Sequence, residues 1–150
     1  CDLVLVLDQV TDPHNVGAIM RSAVALNAGA LITTSRNSPQ ETGVLAKSAS
    51  GALEMIPHIE VRNLANALEE LAKMGFQTIG LDSEGTADMQ HTLTGKRIAI
   101  VLGAEGKGLR QKTRQTVTAL ARIDMPGAIK SLNVSNAAAL ALYIARQKLG

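Results

Sequence analysis

The chain has 150 residues, 46% of them apolar, a formal net charge of +2 and a single cysteine, Cys1. That length suits one domain with a sizeable core, and so small a net charge does not by itself announce a nucleic-acid binder. One thiol excludes an internal disulfide framework and suits a reducing, cytoplasmic setting, while no stretch has the length of a bilayer span or the form of a secretory leader.

Residues 3–7 (LVLVL) are a continuous apolar run ended by Asp8. This is the pattern of a strand buried on both faces, central in a parallel sheet. Asp12-Pro13 is a helix start, a cap residue followed by proline, and the helix is expected to run to about Asn27 with Gly29 as its stop. Residues 30–34 form the next strand, and the polar segment 35–40, with Pro39, reads as a loop. A short helix follows over 41–50, ended near Gly51, and a short strand over 58–61. Asn63 suits the cap of a helix reaching Met74, with Leu64, Leu68 and Leu71 at helical spacing and Gly75 as the stop. Residues 76–81 are a strand and 82–93 an irregular polar stretch, a candidate binding loop. A strand over 97–102, a short helix over 109–116, a last strand over 119–125 and a helix over 133–148 complete the chain. Strands alternating with helices predict a parallel α/β sheet flanked by helices. There is no internal repeat. The start almost directly on a strand is expected of a domain cut from a longer protein.

Chemistry concentrates in three segments. The strand ending at Leu102 breaks into Gly103-Ala-Glu-Gly-Lys-Gly108. Its glycines have neither dinucleotide nor phosphate-loop spacing. A tight turn explains some of them, but three around a Glu and a Lys exceed one turn and favour close approach to a ligand. Glu105 is equally well an exposed loop acid. The second segment, 123–136, passes Pro126-Gly127 and crowds Ser131, Asn133, Ser135 and Asn136 at the start of the last helix. One such residue suffices as a cap, so the surplus looks like a site. In the third, Asn15-Val-Gly-Ala-Ile-Met-Arg21, the arginine either snorkels from a helix flank or meets an anionic substrate. Asn15 and Arg21 are about 240° apart on a helix, so they converge only with Asn15 in the first turn.

Other classes are disfavoured. His14, His58 and His91 are scattered without ligand spacing, so no metal is expected. Ser131 lacks a nucleophile-elbow context. With only Phe76 and Tyr143 as aromatics, the chain is no stacking reader of single-stranded RNA. Lys107, Arg110, Lys112 and Arg114 crowd together without an acid. They form a phosphate footprint or a solvated helix face, and charge alone favours the solvated face. The last helix is apolar almost all round, which calls for burial and, in so small a domain, for a second subunit.

With the segments 15–21, 102–109 and 123–136 in order along nearly the whole chain, the sequence closely resembles the SpoU-type RNA ribose methyltransferases of the SPOUT superfamily. The wording of residues 8–17 looks most like the branch acting on a guanosine of 23S ribosomal RNA, with the transfer-RNA branch close behind. The resemblance implies a C-terminal deep trefoil knot, a homodimer, an RNA substrate and S-adenosylmethionine as cofactor. It matches Gly103, Ile123 and Leu132 to cofactor-contacting positions, with Leu102, Met125 and Ser131 as neighbours. Asn15, Arg21, Glu105, Ser131 and Asn133 match catalytic or substrate-positioning residues. The N-terminal RNA-binding domain usual in the ribosomal branch is expected to lie outside this chain. Two rivals remain: a non-catalytic RNA-binding domain of the same fold, and a small-molecule enzyme on a Rossmann-like sheet.

Overall fold

The computed structural model describes residues 1–34 and 39–150. Its elements are β1 (Leu3–Asp8), α1 (Pro13–Ala25), β2 (Ala30–Thr33), α2 (Pro39–Ala49), β3 (His58–Glu60), α3 (Leu64–Lys73) and β4 (Gln77–Leu81). They continue with β5 (Ala87–Asp88), α4 (Met89–Thr92), β6 (Ile98–Gly103), α5 (Gln111–Thr116), β7 (Ala119–Arg122) and α6 (Val134–Leu149). A single sheet of order β3-β2-β1-β6-β4-β7-β5 holds all the strands. Every pairing in it is parallel.

The unbroken apolar run of β1 follows from its place between β2 and β6. Leu3, Leu5 and Leu7 point into one core with Ile19 and Met20 of α1, Leu45 of α2 and Leu142 of α6. Val4 and Val6 point into a second core with Leu64 and Leu68 of α3. A strand covered on both faces has no polar side to alternate with. On the first face α1 and α2 cross closely at Gly17, where a Cβ would stand 2.5 Å from the Ser48 side chain.

Several boundaries differ from expectation, each for a local reason. Of the expected loop 35–40, residues 35–38 lie outside the described residues, and Pro39 opens α2 instead, as proline's fixed φ suits a first helical turn. At the end of α1 the left-handed residue is Asn27, at φ 58, rather than Gly29. The stretch 82–93 is not irregular throughout: it contains β5 and α4, with Asp88 capping α4 through the His91 amide and Met89 and Leu93 fully buried. β7 stops at Arg122, so Ile123 and Met125 belong to a loop rather than the strand. The remaining strand and helix ends shift by one or two residues. Among the described residues, no helix is long and apolar enough to cross a membrane. Among them also, no group of three or more His, Cys, Asp or Glu side chains is placed to hold a metal ion.

The sheet edge carries a pH-sensitive pair. Thr33 Oγ1 and His58 Nε2 are 2.8 Å apart between β2 and β3. Burial pushes the imidazole below its usual 6.5, opposed by the nearby Glu60 carboxylate. Below that value the unfolded chain therefore binds more protons than the folded one. Stability should be flat above about pH 6.5 and fall as pH drops through the imidazole range. Thermal melts of the wild type and His58→Gln at matched pH values check this, the variant losing that part of the slope. Identical slopes would remove His58 as the cause.

Candidate active site

The carboxyl ends of β6, β4 and β7 lie side by side in the sheet. The loops that leave them line one cleft of about 460 Å³, through Leu81–Ser83, Leu102–Gly108 and residues from Ile123 to Val134. That volume is in the range of small-molecule sites.

The loop after β6 folds back on itself. The Gly108 amide donates to the Ala104 carbonyl at 2.7 Å, and Gly106 and Gly108 take positive φ of 81° and 68°. A Cβ on Gly103 would meet the Gly108 carbonyl carbon at 2.1 Å and the Leu109 amide nitrogen at 2.4 Å. All three glycines are thus consumed by one closed turn. The turn they close faces the cleft, so the same glycines also set its backbone along the cleft wall.

The end of that loop is fastened by Asp8, the last residue of β1. Asp8 pairs with Gly103 in the sheet register and is fully buried. Its Oδ2 accepts from the Arg110 amide at 2.9 Å, and its Oδ1 from Arg110 Nε at 2.6 Å. A usable signal was present: an acid directly after five core residues must find a cation or amides once buried.

The expected cofactor positions Leu102, Gly103, Ile123, Met125, Ser131 and Leu132 all line the cleft, as does Glu105. Asn133 stands beside it and caps α6, accepting at Oδ1 from the Ser135 amide at 2.9 Å. The same side chain donates from Nδ2 to Glu105 Oε2 at 3.4 Å. Asn133 thus ties the loop after β7 to the loop after β6. Lys130 Nζ closes the loop after β7 on the Met125 carbonyl at 2.8 Å.

Asn15 and Arg21 are not brought to this cleft. Asn15 sits in the first turn of α1 and donates to Asp12 Oδ2 at 3.4 Å. Arg21 is exposed, about 9 Å further along the helix at 1.5 Å per residue. From the candidate loop 82–93, only Asp82 and Ser83 line the cleft, next to Leu81 of β4. Asp82 is paired with Arg114 and accepts the Glu84 amide at 2.8 Å. The basic cluster therefore divides. Arg110 and Arg114 hold Asp8 and Asp82, contrary to a uniformly solvated face, whereas Lys107 and Lys112 are exposed.

A wholly parallel sheet flanked by helices defines a parallel α/β domain, and its cleft lies at the carboxyl ends of neighbouring strands, where open sheets of this class place ligands. More specifically, the chain belongs to the SpoU rRNA Methylase family, whose profile matches residues 2–143. It is 45% identical over 149 residues to the 23S rRNA (guanosine-2′-O-)-methyltransferase RlmB of Vibrio vulnificus, covering 98% of this chain and 60% of that protein. Among solved structures it is similar to the SpoU methyltransferase AviRb from Streptomyces viridochromogenes in complex with the cofactor AdoMet. There the TM-score is 0.86 at 28% identity, over 98% of this chain and 58% of that one. It is also similar to a protein solved for insights into 2-OH methylation of C/U34 on tRNA, with TM-score 0.84 at 26% identity, over 98% of this chain and 95% of that one. The chain spans about 60% of the length of the RlmB relative.

Proposed function

We propose that residues 1–150 form the catalytic domain of an S-adenosylmethionine-dependent RNA ribose 2′-O-methyltransferase acting on a guanosine of 23S ribosomal RNA. The observation that carries this is the meeting of three strand-end loops on one cleft whose lining suits that cofactor. Leu102, Ile123, Met125 and Leu132 offer apolar walls to a base. Glu105 offers negative charge to a cationic donor, and Lys107 and Lys130 offer positive charge to its carboxylate. When bound, the cofactor supplies a methyl group on a sulfonium, already a good leaving group, so the proposal calls for no metal. The protein's work is alignment, which can contribute several kcal/mol.

The ribose hydroxyl must lose its proton as its oxygen is methylated. A guanidinium stays protonated near neutrality. Arg21 is therefore assigned to the adjacent RNA phosphate, which takes the proton directly or through water, with Asn15 orienting Arg21 or the ribose. Ser131 is assigned to cofactor or substrate oxygens, and Asn133 to holding Glu105. Because Asn15 and Arg21 stand outside the cleft of their own chain, this role needs an RNA spanning both places or a second copy packed nearby. Arg21→Ala should leave cofactor affinity within about twofold and reduce methyl transfer by 100-fold or more, on the scale of a lost positioning group. Calorimetry beside a transfer assay checks this, and equal loss of both would make Arg21 structural.

A homodimer is part of the proposal. α6 buries Val134, Ala138, Ala141, Leu142 and Ala145 yet exposes Leu140 and Tyr143. Its apolar surface is thus only partly covered within the chain. Sedimentation should find a dimer at micromolar concentration, and Tyr143→Glu should shift it to monomer. A C-terminal trefoil knot is also proposed. In its support, β7 is laid beside β4, after which residues 123–133 return to the cleft shared with β6 before α6 begins. A ribosomal RNA substrate implies a cytoplasmic setting.

The test of the whole reading is radiolabelled methyl transfer to total RNA, followed by mapping of alkali-resistant positions. Label on a guanosine ribose of 23S RNA supports it; label on a base, or none, overturns it. A transfer-RNA substrate is the second reading. It is favoured by the tRNA-associated neighbour of nearly equal extent and disfavoured by the higher identity to the ribosomal relative.

A further inference from the structure

We infer that a second, smaller groove beside the cleft binds the phosphodiester backbone of the RNA that flanks the reacting nucleotide. The inference rests on the RNA-methylating function proposed above. The groove, about 200 Å³, lies between the start of α3 and the start of α5 and is lined by Arg62, Asn63, Leu64, Arg110, Lys112 and Thr113, with Ala65 at its edge. Gly108 lines the cleft and Arg110 lines the groove. Two residues of chain reach at most about 7.6 Å between Cα atoms, so the two concavities are immediate neighbours.

The groove's chemistry is cationic and partly pre-set. Arg62 and Lys112 are exposed, and among the described residues no acid pairs with either side chain. Arg110 is held differently. Its Nε is fixed on the buried Asp8 carboxylate, while the side chain remains 48% exposed. Among the described residues, its two terminal nitrogens make no hydrogen bond. The buried acid thus holds a guanidinium with its outer nitrogens presented to the groove, which suits a phosphate's oxygens. The Asp8–Arg110 pair is neutral as a unit, so the net positive charge comes from Arg62 and Lys112. Neither groove nor cleft is lined by an aromatic residue. Backbone phosphates, rather than stacked bases, are therefore the part of RNA this surface can hold.

The test compares the wild-type chain, Arg62→Ala/Lys112→Ala and the charge-preserving Arg62→Lys/Lys112→Arg. Both side chains are exposed, so neither double variant should disturb the fold, and matching thermal melts verify that. Each is titrated with a short fluorescent single-stranded RNA and with total ribosomal RNA over a range of salt, and separately with S-adenosylmethionine. The alanine pair should weaken RNA binding by about tenfold or more and lower the slope of log affinity against log salt by roughly 1.4, about 0.7 per lost phosphate contact. The charge-preserving pair should keep the wild-type slope, and S-adenosylmethionine affinity should be unchanged in all three. An unchanged RNA affinity and slope in the alanine pair overturns the groove while leaving the cofactor cleft intact. A wild type that binds RNA but not S-adenosylmethionine overturns the proposed function instead. Preference for an acidic polypeptide such as polyglutamate over RNA would also overturn the groove, replacing its partner with a protein.

Discussion

Replacing Gly103 by Ala should abolish the cleft while leaving the sheet in place. The added Cβ would meet backbone of the same loop, the Gly108 carbonyl carbon at 2.1 Å and its oxygen at 2.2 Å. No side chain can swing aside to relieve that, so the turn itself must open. Overpacking of this kind costs about 3 kcal/mol, the upper end of its usual range. In a domain of this size that lowers the melting temperature by roughly 6–12 °C. Because the displaced segment is the wall formed by Gly103–Gly108, S-adenosylmethionine affinity should fall by more than about tenfold, or 1.4 kcal/mol. Gly106→Ala is the control. Gly106 has a positive φ of 81° but open space where its Cβ would stand. It should cost only about 1–2 kcal/mol of backbone strain and keep most cofactor binding. If the two variants lose cofactor affinity equally, close packing at Gly103 is not what shapes the loop.

The contrast between these glycines also marks what the sequence could disclose. The run 102–109 announced a special loop, but counting glycines could not separate those needed for φ from the one needed for contact. That contact joins residues five apart through a turn whose closure no periodicity encodes. β1 was legible because a strand covered on both faces must be apolar throughout, and residues 3–7 are. The division of the basic cluster was not legible. Arg110 and Arg114 find their acids about 100 and 30 residues earlier in the chain, at Asp8 and Asp82, and only the strand order brings those acids to them. The end of β7 was misplaced because Ile123 and Met125, on either side of Asp124, continue a strand's alternation of apolar and polar residues while lining the cleft. The cleft-lining residues came from the family resemblance and the strand-to-loop breaks together. Asp82 and Ser83 were reached only as part of a wider loop and Leu81 only as a strand end, since β4 falls between β6 and β7 by topology and not by sequence order.

The same topology predicts an unequal outcome when the Asp8–Arg110 pair is cut from either side. Arg110→Ala leaves a carboxylate with no exposed surface, held among the described residues only by the residue 110 amide that donates at 2.9 Å. Stranding a buried charge costs about 3 kcal/mol, the lower end of the usual range because the arginine is half exposed. Asp8→Asn removes the charge but keeps an oxygen for that amide, and the freed guanidinium can turn to water. It should cost about 1–1.5 kcal/mol, the scale of one lost hydrogen bond. The two changes should therefore not add. In the Arg110→Ala background, Asp8→Asn relieves the stranded charge and should raise the urea midpoint, recovering about 1–2 kcal/mol. A midpoint that falls further in the double variant would mean that the Asp8 carboxylate is stabilised by something other than Arg110. The loop after β6 would then be anchored independently of this pair.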